Sequence, residues 1–240
     1  MKRTKARRVT KGILRGVAAL LVLVLLVVGF FGVKGYLMYQ NAIKENPIVE
    51  LADKIKREGE FVSYGDLPAI YIDAVISAED KRFETHCGID LRAIARAAWT
   101  DLRTMSFVEG GSTITQQIAK NQLFSQEKSI ERKFAEVFAA FALEKEYSKQ
   151  ELFKLYVNSI YFGSGYYGIG AAAQGYFHKE PKELTDSEAV LLAGLPNAPS
   201  VYSPDENLEL ARKRMLVVLN RMMRCGKITL EDAARILNEK

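Results

Sequence analysis

The segment AEDKRFETHCG, residues 78–88, concentrates groups able to move protons. Glu79, Asp80 and Glu84 supply three carboxylates and His86 an imidazole, with two cations between them, directly behind the apolar run PAIYIDAVIS. Three readings fit such a cluster: a solvated helix end, a metal site or an acid–base centre. A general base must be a positioned carboxylate that is ionised when substrate arrives. Glu79, closing an apolar helix, meets that requirement if a cleft holds it. On residue types alone, a surface helix end accounts for the cluster better.

A second stretch, GGSTITQQIAKN at 110–121, opens as a helix start, with glycines for the turn and Ser112 or Thr113 as cap. A cap does not need Thr115, Gln116, Gln117, Lys120 and Asn121 in the opening turns. Free amides at a helix N-terminus attract anions, and these side chains add donors and a cation. A phosphate or sugar site fits better than a bare cap. Further on, Lys128, Arg132 and Glu136 recur every four residues, with Lys133 beside them. Alone that is a solvated face with an i,i+4 ion pair. Beside the Lys120 segment it reads as a cationic wall with one carboxylate, suited to a pyrophosphate leaving group.

Other chemistries find less support. Two histidines and two cysteines, Cys87 and Cys225, show no zinc spacing and make no disulfide framework, so no metal site is assigned. Cys87 reads as a small buried thiol beside a structural His86. GSGYYG at 163–168 spells a dinucleotide fingerprint, but the segment before it is capped and spaced like a helix. A flexible turn with close backbone approach is the better reading.

The elements that must position these residues are mostly helical. Ile70, Ala74, Val75 and Ala78 recur at helical spacing. Asp90 stands as cap for LRAIARAAWTDLR, and Thr113/Gln116, Ser148/Glu151 and Thr185/Glu188 fit capping boxes. Ile130, Phe134, Val137, Phe138 and Phe141 share one side of a long helix, and YVNSIYF is the only strand candidate. Prolines 196, 199 and 204 precede a last pair of helices, the first ending near Gly226.

The N-terminus differs from the rest. Seven basic residues and no acid precede Gly16, and the 18 residues Gly16–Val33 carry no charge. As a helix they span about 27 Å, near the thickness of bilayer hydrocarbon. With no convincing cleavage site following, the expectation is a retained single-span anchor. It would leave the N-terminus cytoplasmic and the rest outside the membrane. Residues 1–15 are then a basic cytoplasmic leader, 16–33 the transmembrane helix, 34–60 a stalk and 61–240 the main domain. Without the leader, 27 basic residues face 29 acidic ones, so the formal charge of +5 belongs to the leader and gives no support to nucleic-acid binding.

EDKRFETHCG, GGSTITQQIAKN, RKFAE, SKQELFKLYVNSIYFG and RKRMLVVLNRM follow one another in this order. Together they resemble the five motifs of the peptidoglycan glycosyltransferase family (glycosyltransferase family 51), which polymerises lipid II into glycan strands. The similarity spans about residues 61–225. It implies a lysozyme-like, two-lobed helical domain around a substrate groove, and because the chain ends at Lys240, the monofunctional, membrane-anchored biosynthetic type without a transpeptidase domain. It implies Glu79 as the base that deprotonates the acceptor sugar's 4-hydroxyl, and Glu136 as the second acid. Asp80, Phe83 and His86 match the rest of the first motif. Ser112, Thr113, Gln116, Gln117, Lys120 and Asn121 match the second, where Lys120 would contact donor pyrophosphate, and Arg132 and Lys133 match the third, with Lys128 near it. Chemistry by inversion would turn an α-linked lipid donor into β-1,4 glycan.

The pattern has departures: Lys128 where Arg is common, Lys154 where Glu is usual, Val157 for Leu, and His178 for a common Gly. No cofactor is required, although the family often uses magnesium or manganese near the pyrophosphate. Implied partners are lipid II, the lipid-linked glycan chain, the bacterial cell membrane and other wall-synthesis proteins, with no nucleic acid. Two rivals stand beside this reading. A lysozyme-like lytic hydrolase would use its Glu as an acid and need no cationic wall, and a non-catalytic scaffold would have no reason to keep both Glu79 and Glu136.

Overall fold

In the computed structural model, residues 2–104, 110–125 and 127–239 are described. The side chains of residues 2–11 and 13, and with them six of the seven leader cations, lie outside the described residues. The chain is mostly α-helical, as expected. In order it forms α1 (Lys2–Glu45), α2 (Leu51–Glu58), α3 (Ala69–Glu79), α4 (Leu91–Thr104), α5 (Ile114–Leu123), α6 (Ile130–Glu146) and α7 (Lys149–Ser159). Two short strands follow, β1 (Tyr161–Gly163) and β2 (Tyr166–Tyr167). Then come α8 (Ile169–Phe177), α9 (Asp186–Gly194), α10 (Pro199–Tyr202), α11 (Pro204–Arg224) and α12 (Leu230–Asn238).

The core gathers Tyr71 of α3, Ile114 and Ile118 of α5, Phe153 and Tyr156 of α7, Val190 and Leu192 of α9, and Val218 of α11. Burying each such aliphatic or aromatic side chain contributes roughly 1.5–3 kcal/mol. All three capping boxes form. Thr113, Ser148 and Thr185 each accept a backbone N–H three residues on, while Gln116, Glu151 and Glu188 reach back to the cap. Asp90 caps α4 by accepting the Ala93 N–H at 2.7 Å, and it also pairs with Arg82.

Within α1, the stretch Leu14–Glu45 is long and apolar enough to cross a membrane, and its most apolar part is exposed throughout. The helix does not stop at Val33 but runs on to Glu45 along α6. Gly35 meets α6 so closely that a Cβ there would lie 2.4 Å from Phe134 Cβ. Tyr36 meets Phe138 edge-on with Tyr39 tilted beside it, and Lys34 pairs with Glu131 at 3.2 Å. The aromatic side of α6 is therefore turned to α1. Its small residues, Ala135, Ala139 and Ala140, face inward and let α5 approach. In α2, Leu51 and Ile55 join the common core. The segment expected as a stalk is thus packed on the helices that follow it.

Two local expectations need correction. YVNSIYF is not a strand: Tyr156–Ser159 complete α7, whose capped start outweighs β propensity, and only Tyr161–Gly163 pairs, with Tyr166–Tyr167. Cys87 is exposed, as is Cys225, because the turn after α3 points His86 inward and its neighbour out. GSGYYG is the hairpin itself. Ser164 and Gly165 both have positive φ, the conformation that closes a tight hairpin. Gly168, at φ 82° and ψ 153°, lies where a Cβ would meet Asn158 O at 2.9 Å.

The departure at His178 acquires a structural meaning. It ends α8 in the left-handed conformation, φ 55° and ψ 38°, where glycine is favoured. A non-glycine residue there costs roughly 1–2 kcal/mol. His178→Gly is expected to raise the unfolding free energy by about 1 kcal/mol, measured by thermal or chemical unfolding in detergent.

Candidate active site

The last turn of α3 and the start of α5 are joined by one buried carboxylate. Asp80 Oδ2 accepts the Ile114 N–H at 3.0 Å and faces His86 Nε2 at 2.7 Å. Gly88 N donates to His86 Nδ1 at 3.1 Å, which leaves the proton on Nε2 and makes the ring a donor to Asp80. Thr113 Oγ1 donates to Gly88 O at 2.6 Å and accepts from Gln116 N. Phe83 is buried against Phe153, with the Lys149 ammonium 4.7 Å from its ring centroid. Asp80, Phe83, His86, Thr113 and Gln116 therefore form the support beneath the site, and their polar groups are occupied by each other. Asp80→Ala would strand the buried Ile114 N–H and free His86. The expected loss is about 3 kcal/mol, measured by thermal unfolding monitored by circular dichroism.

On that support stands Glu79. Its Oε2 accepts from Gln117 Nε2 at 2.8 Å, and its Oε1 lies 3.7 Å from Arg214 Nη2. The two charged side chains are only 10% and 7% exposed, so the pair is shielded from water. At 3.7 Å the guanidinium acts as a facing charge rather than a hydrogen-bond donor. Arg214 is anchored elsewhere, through Nε to Gly194 O at 3.2 Å. Burial lowers its pKa, with Glu79 opposing and Arg221 adding to the shift, yet a guanidinium so placed stays charged. Below the pair, burial keeps the Tyr156 phenol protonated, reinforced by the Glu79 charge.

Arg214 is the site residue that sequence reasoning missed. It lies in RKRMLVVLNRM, and its signal was a cation on the buried stripe formed by Ala211, Met215, Val218, Leu219 and Met222. A buried arginine needs a partner.

Gln117 is shared between Glu79 and a cleft of about 920 Å³, which Lys120, Asn121, Lys54, Asn158 and Tyr161 also line. Among the described residues Lys120 has no ion-pair partner, leaving its ammonium available in the cleft. Glu79 itself lines a second cavity of about 220 Å³ together with Lys81, Arg96, Arg221 and Arg224. The base candidate thus borders the smaller, cationic cavity directly and reaches the larger cleft through Gln117, and in that cleft Lys54 and Lys120 are balanced by Glu58 and Glu60.

Glu136 belongs to a separate cluster on α6. It is almost completely buried, with Arg132 Nε 3.1 Å from Oε1 and Lys133 Nζ 2.8 Å from Oε2. Lys133 also donates to Ser112 Oγ at 2.7 Å, and Arg132 Nη1 to Ser125 O at 3.0 Å. Two cations of the expected wall, Arg132 and Lys133, are therefore turned onto Glu136 or its surroundings. Lys128 is exposed on the segment before α6, outside both clusters.

A shielded carboxylate at a cationic cavity, linked through Gln117 to a larger cleft, can serve group transfer, with a base for an incoming hydroxyl beside charges for an anionic leaving group. The family model described as Transglycosylase matches residues 44–223, and the chain belongs to that family. Penicillin-binding protein 1A of Neisseria gonorrhoeae is 46% identical over 181 residues, 75% of this chain and 23% of that protein. Penicillin-binding protein 1F of Bacillus subtilis is 44% identical over 184 residues, 77% of this chain and 26% of that protein. A crystal structure of penicillin-binding protein 1A from Haemophilus influenzae aligns with TM-score 0.45 at 27% identity, over 75% of this chain and 17% of that one. The chain spans about a quarter of the length of the curated relatives it matches.

Proposed function

We propose that the chain is a peptidoglycan glycosyltransferase that polymerises lipid II into β-1,4-linked glycan, with inversion and release of lipid pyrophosphate. The observation that carries this reading is Glu79, shielded, bordering the smaller cationic cavity and held by Gln117, which links it to the Lys120 cleft. Glu79 takes the proton of the acceptor 4-hydroxyl as that oxygen attacks the donor's anomeric carbon. Gln117 and Arg214 hold the carboxylate, which must be ionised to act. Lys120 and Asn121 receive the pyrophosphate, whose charge grows as the glycosidic bond breaks. Glu136 orders Arg132 and Lys133 beside Ser112 rather than moving protons.

Among the described residues no three His, Cys, Asp or Glu side chains gather as a metal-binding group. A magnesium or manganese ion at the pyrophosphate would share its neutralisation with Lys120.

In this proposal α1 is a single-pass span of the bacterial cell membrane, with the N-terminus cytoplasmic and the domain outside. Residues 1–15 form the leader, 16–33 the span, and the packed segment from 34 onward carries the site. Partners are lipid II, the lipid-linked glycan and the membrane.

Substrate choice tests the reaction class. The purified protein is expected to consume lipid-linked disaccharide and release polyprenyl pyrophosphate, leaving preformed glycan intact. Release of soluble sugars from preformed glycan would instead identify the lytic hydrolase.

A further inference from the structure

Helix α11 ends beside the site, and its end is held tightly. Cys225 N–H donates to Arg221 O at 2.9 Å, Gly226 N–H to Met223 O at 3.0 Å and Lys227 N–H to Met222 O at 3.0 Å. Gly226, at φ 68°, supplies the left-handed residue that such a helix stop needs. Arg221 Nη1 donates to Ala78 O, which ties the same turn to the end of α3. Cys225 is therefore exposed on a fixed turn rather than carried on a loose tail.

Cys225 lines the cavity of about 220 Å³ that Glu79 also lines. Among the described residues of that lining, four cations, Lys81, Arg96, Arg221 and Arg224, face the single carboxylate of Glu79. Such an excess of one charge in a concave space concentrates ions of the opposite sign. Ser77 lines the same cavity. It is only 6% exposed, and its hydroxyl has no hydrogen-bond partner among the described residues. A buried hydroxyl without a partner is uncommon in a folded protein, and here it offers a hydrogen bond to whatever enters. Cys87, the other free thiol, is exposed as well but lines neither this cavity nor the large cleft. Two exposed thiols thus differ in their surroundings.

We infer that Cys225 is a modification site for anionic low-molecular-weight disulfides, and that the adduct closes the cavity beside Glu79. The cations draw the disulfide in, and the Cys225 sulfur, as thiolate, attacks one of its two sulfurs. A bond forms between Cys225 Sγ and that sulfur while the disulfide's own S–S bond breaks. The other half leaves as a thiolate and takes up the proton that Cys225 lost. The step is an exchange, so it needs no further oxidant or reductant. The group left on Cys225 brings its negative charge among Arg221 and Arg224 and fills space next to Glu79. Polymerisation stops until a free thiol reverses the exchange. This control of turnover rests on the glycosyltransferase reading, whereas the anion-selective thiol does not. Disulfides persist in oxidising spaces outside the cytoplasm, where the proposed topology puts the domain.

Full-length protein in detergent is treated with dithiodipropionate, a dianion, or with cystamine, a dication built on the same S–S bond. Peptide mass spectrometry follows each cysteine. Dithiodipropionate is expected to modify Cys225 faster than Cys87 by about tenfold or more, the scale of electrostatic steering. The preference is expected to vanish with cystamine and to shrink as salt is added. Lipid II turnover is expected to fall as the Cys225 adduct accumulates and to return with dithiothreitol, while Cys225→Ser keeps its own turnover through the same treatment. An equal preference for Cys225 with both reagents, or none with either, would overturn the anion-selective site. Full turnover with Cys225 completely modified, or an equal loss in Cys225→Ser, would overturn the control of turnover. Absence of turnover before treatment would remove the glycosyltransferase reading and that control together, and the labelling ratio would still decide the site.

Discussion

Glu79→Gln is expected to lower glycan synthesis by about 10²–10⁴-fold, the usual contribution of a positioned base. The substitution keeps the shape of the side chain and its hydrogen bond to Gln117, but removes the charge that accepts the proton. Arg214 then faces a neutral amide in a shielded site, so a modest fall in thermal midpoint accompanies the loss of activity. The folded variant separates the two effects, since its circular dichroism spectrum and cleft remain. Glu84→Gln serves as the internal control: Glu84 is exposed on the turn after α3 and contributes to neither cavity. Consumption of lipid II by Glu79→Gln within about threefold of the unmodified protein, far inside that 10²–10⁴ range, would remove Glu79 as the base. The remaining candidate would be Glu136, and its pairing with both Arg132 and Lys133 makes it a poor one.

The second large effect belongs to Lys120→Ala. Removing one preorganised group from a developing anion typically costs about 10²–10³ in turnover. Lys120 lines the large cleft and has no ion-pair partner among the described residues, so it has charge to give to a ligand. The loss is expected in kcat more than in KM, because the leaving group's charge is greatest in the transition state. Steady-state kinetics with purified lipid II measure both. Lys128→Arg, by contrast, is expected to leave turnover unchanged, since Lys128 is exposed outside both clusters. Unchanged turnover in Lys120→Ala would mean that pyrophosphate is held by other residues, and the cationic cavity of Arg221 and Arg224 would take its place.

Local chemistry was the most legible part of the sequence. The capping boxes at Thr113, Ser148 and Thr185 need only residues three apart, and each formed as read. Glu79, Gln117, Lys120 and Asn121 were also visible, because two helix ends supply them and the structure brings those ends together. What sequence could not show was how each polar group divides its loyalty. Gln116 looked like a donor for a ligand, yet the cap occupies it. Arg132 and Lys133 looked like a free wall, yet they turn onto Glu136. A one-dimensional pattern gives residue types but not whose partner each will be. Arg214 was hidden for the converse reason: its partner Glu79 lies 135 positions earlier in the chain, and only the packing of α11 against α3 unites them. The segment 34–60 read as a polar stalk because its apolar residues are few, but Leu51, Ile55 and the close approach at Gly35 are enough to dock it.

The central claim, that this chain joins lipid-linked disaccharides into glycan, is tested most directly by its product. Purified full-length protein in detergent is incubated with radiolabelled lipid II, and the products are separated by electrophoresis before and after muramidase digestion. The predicted result is a ladder of lengthening glycan that muramidase collapses to disaccharide units, formed by the unmodified protein and absent with Glu79→Gln. Lipid II left intact by the folded, unmodified protein, or cleaved to free disaccharide without a ladder, would contradict it.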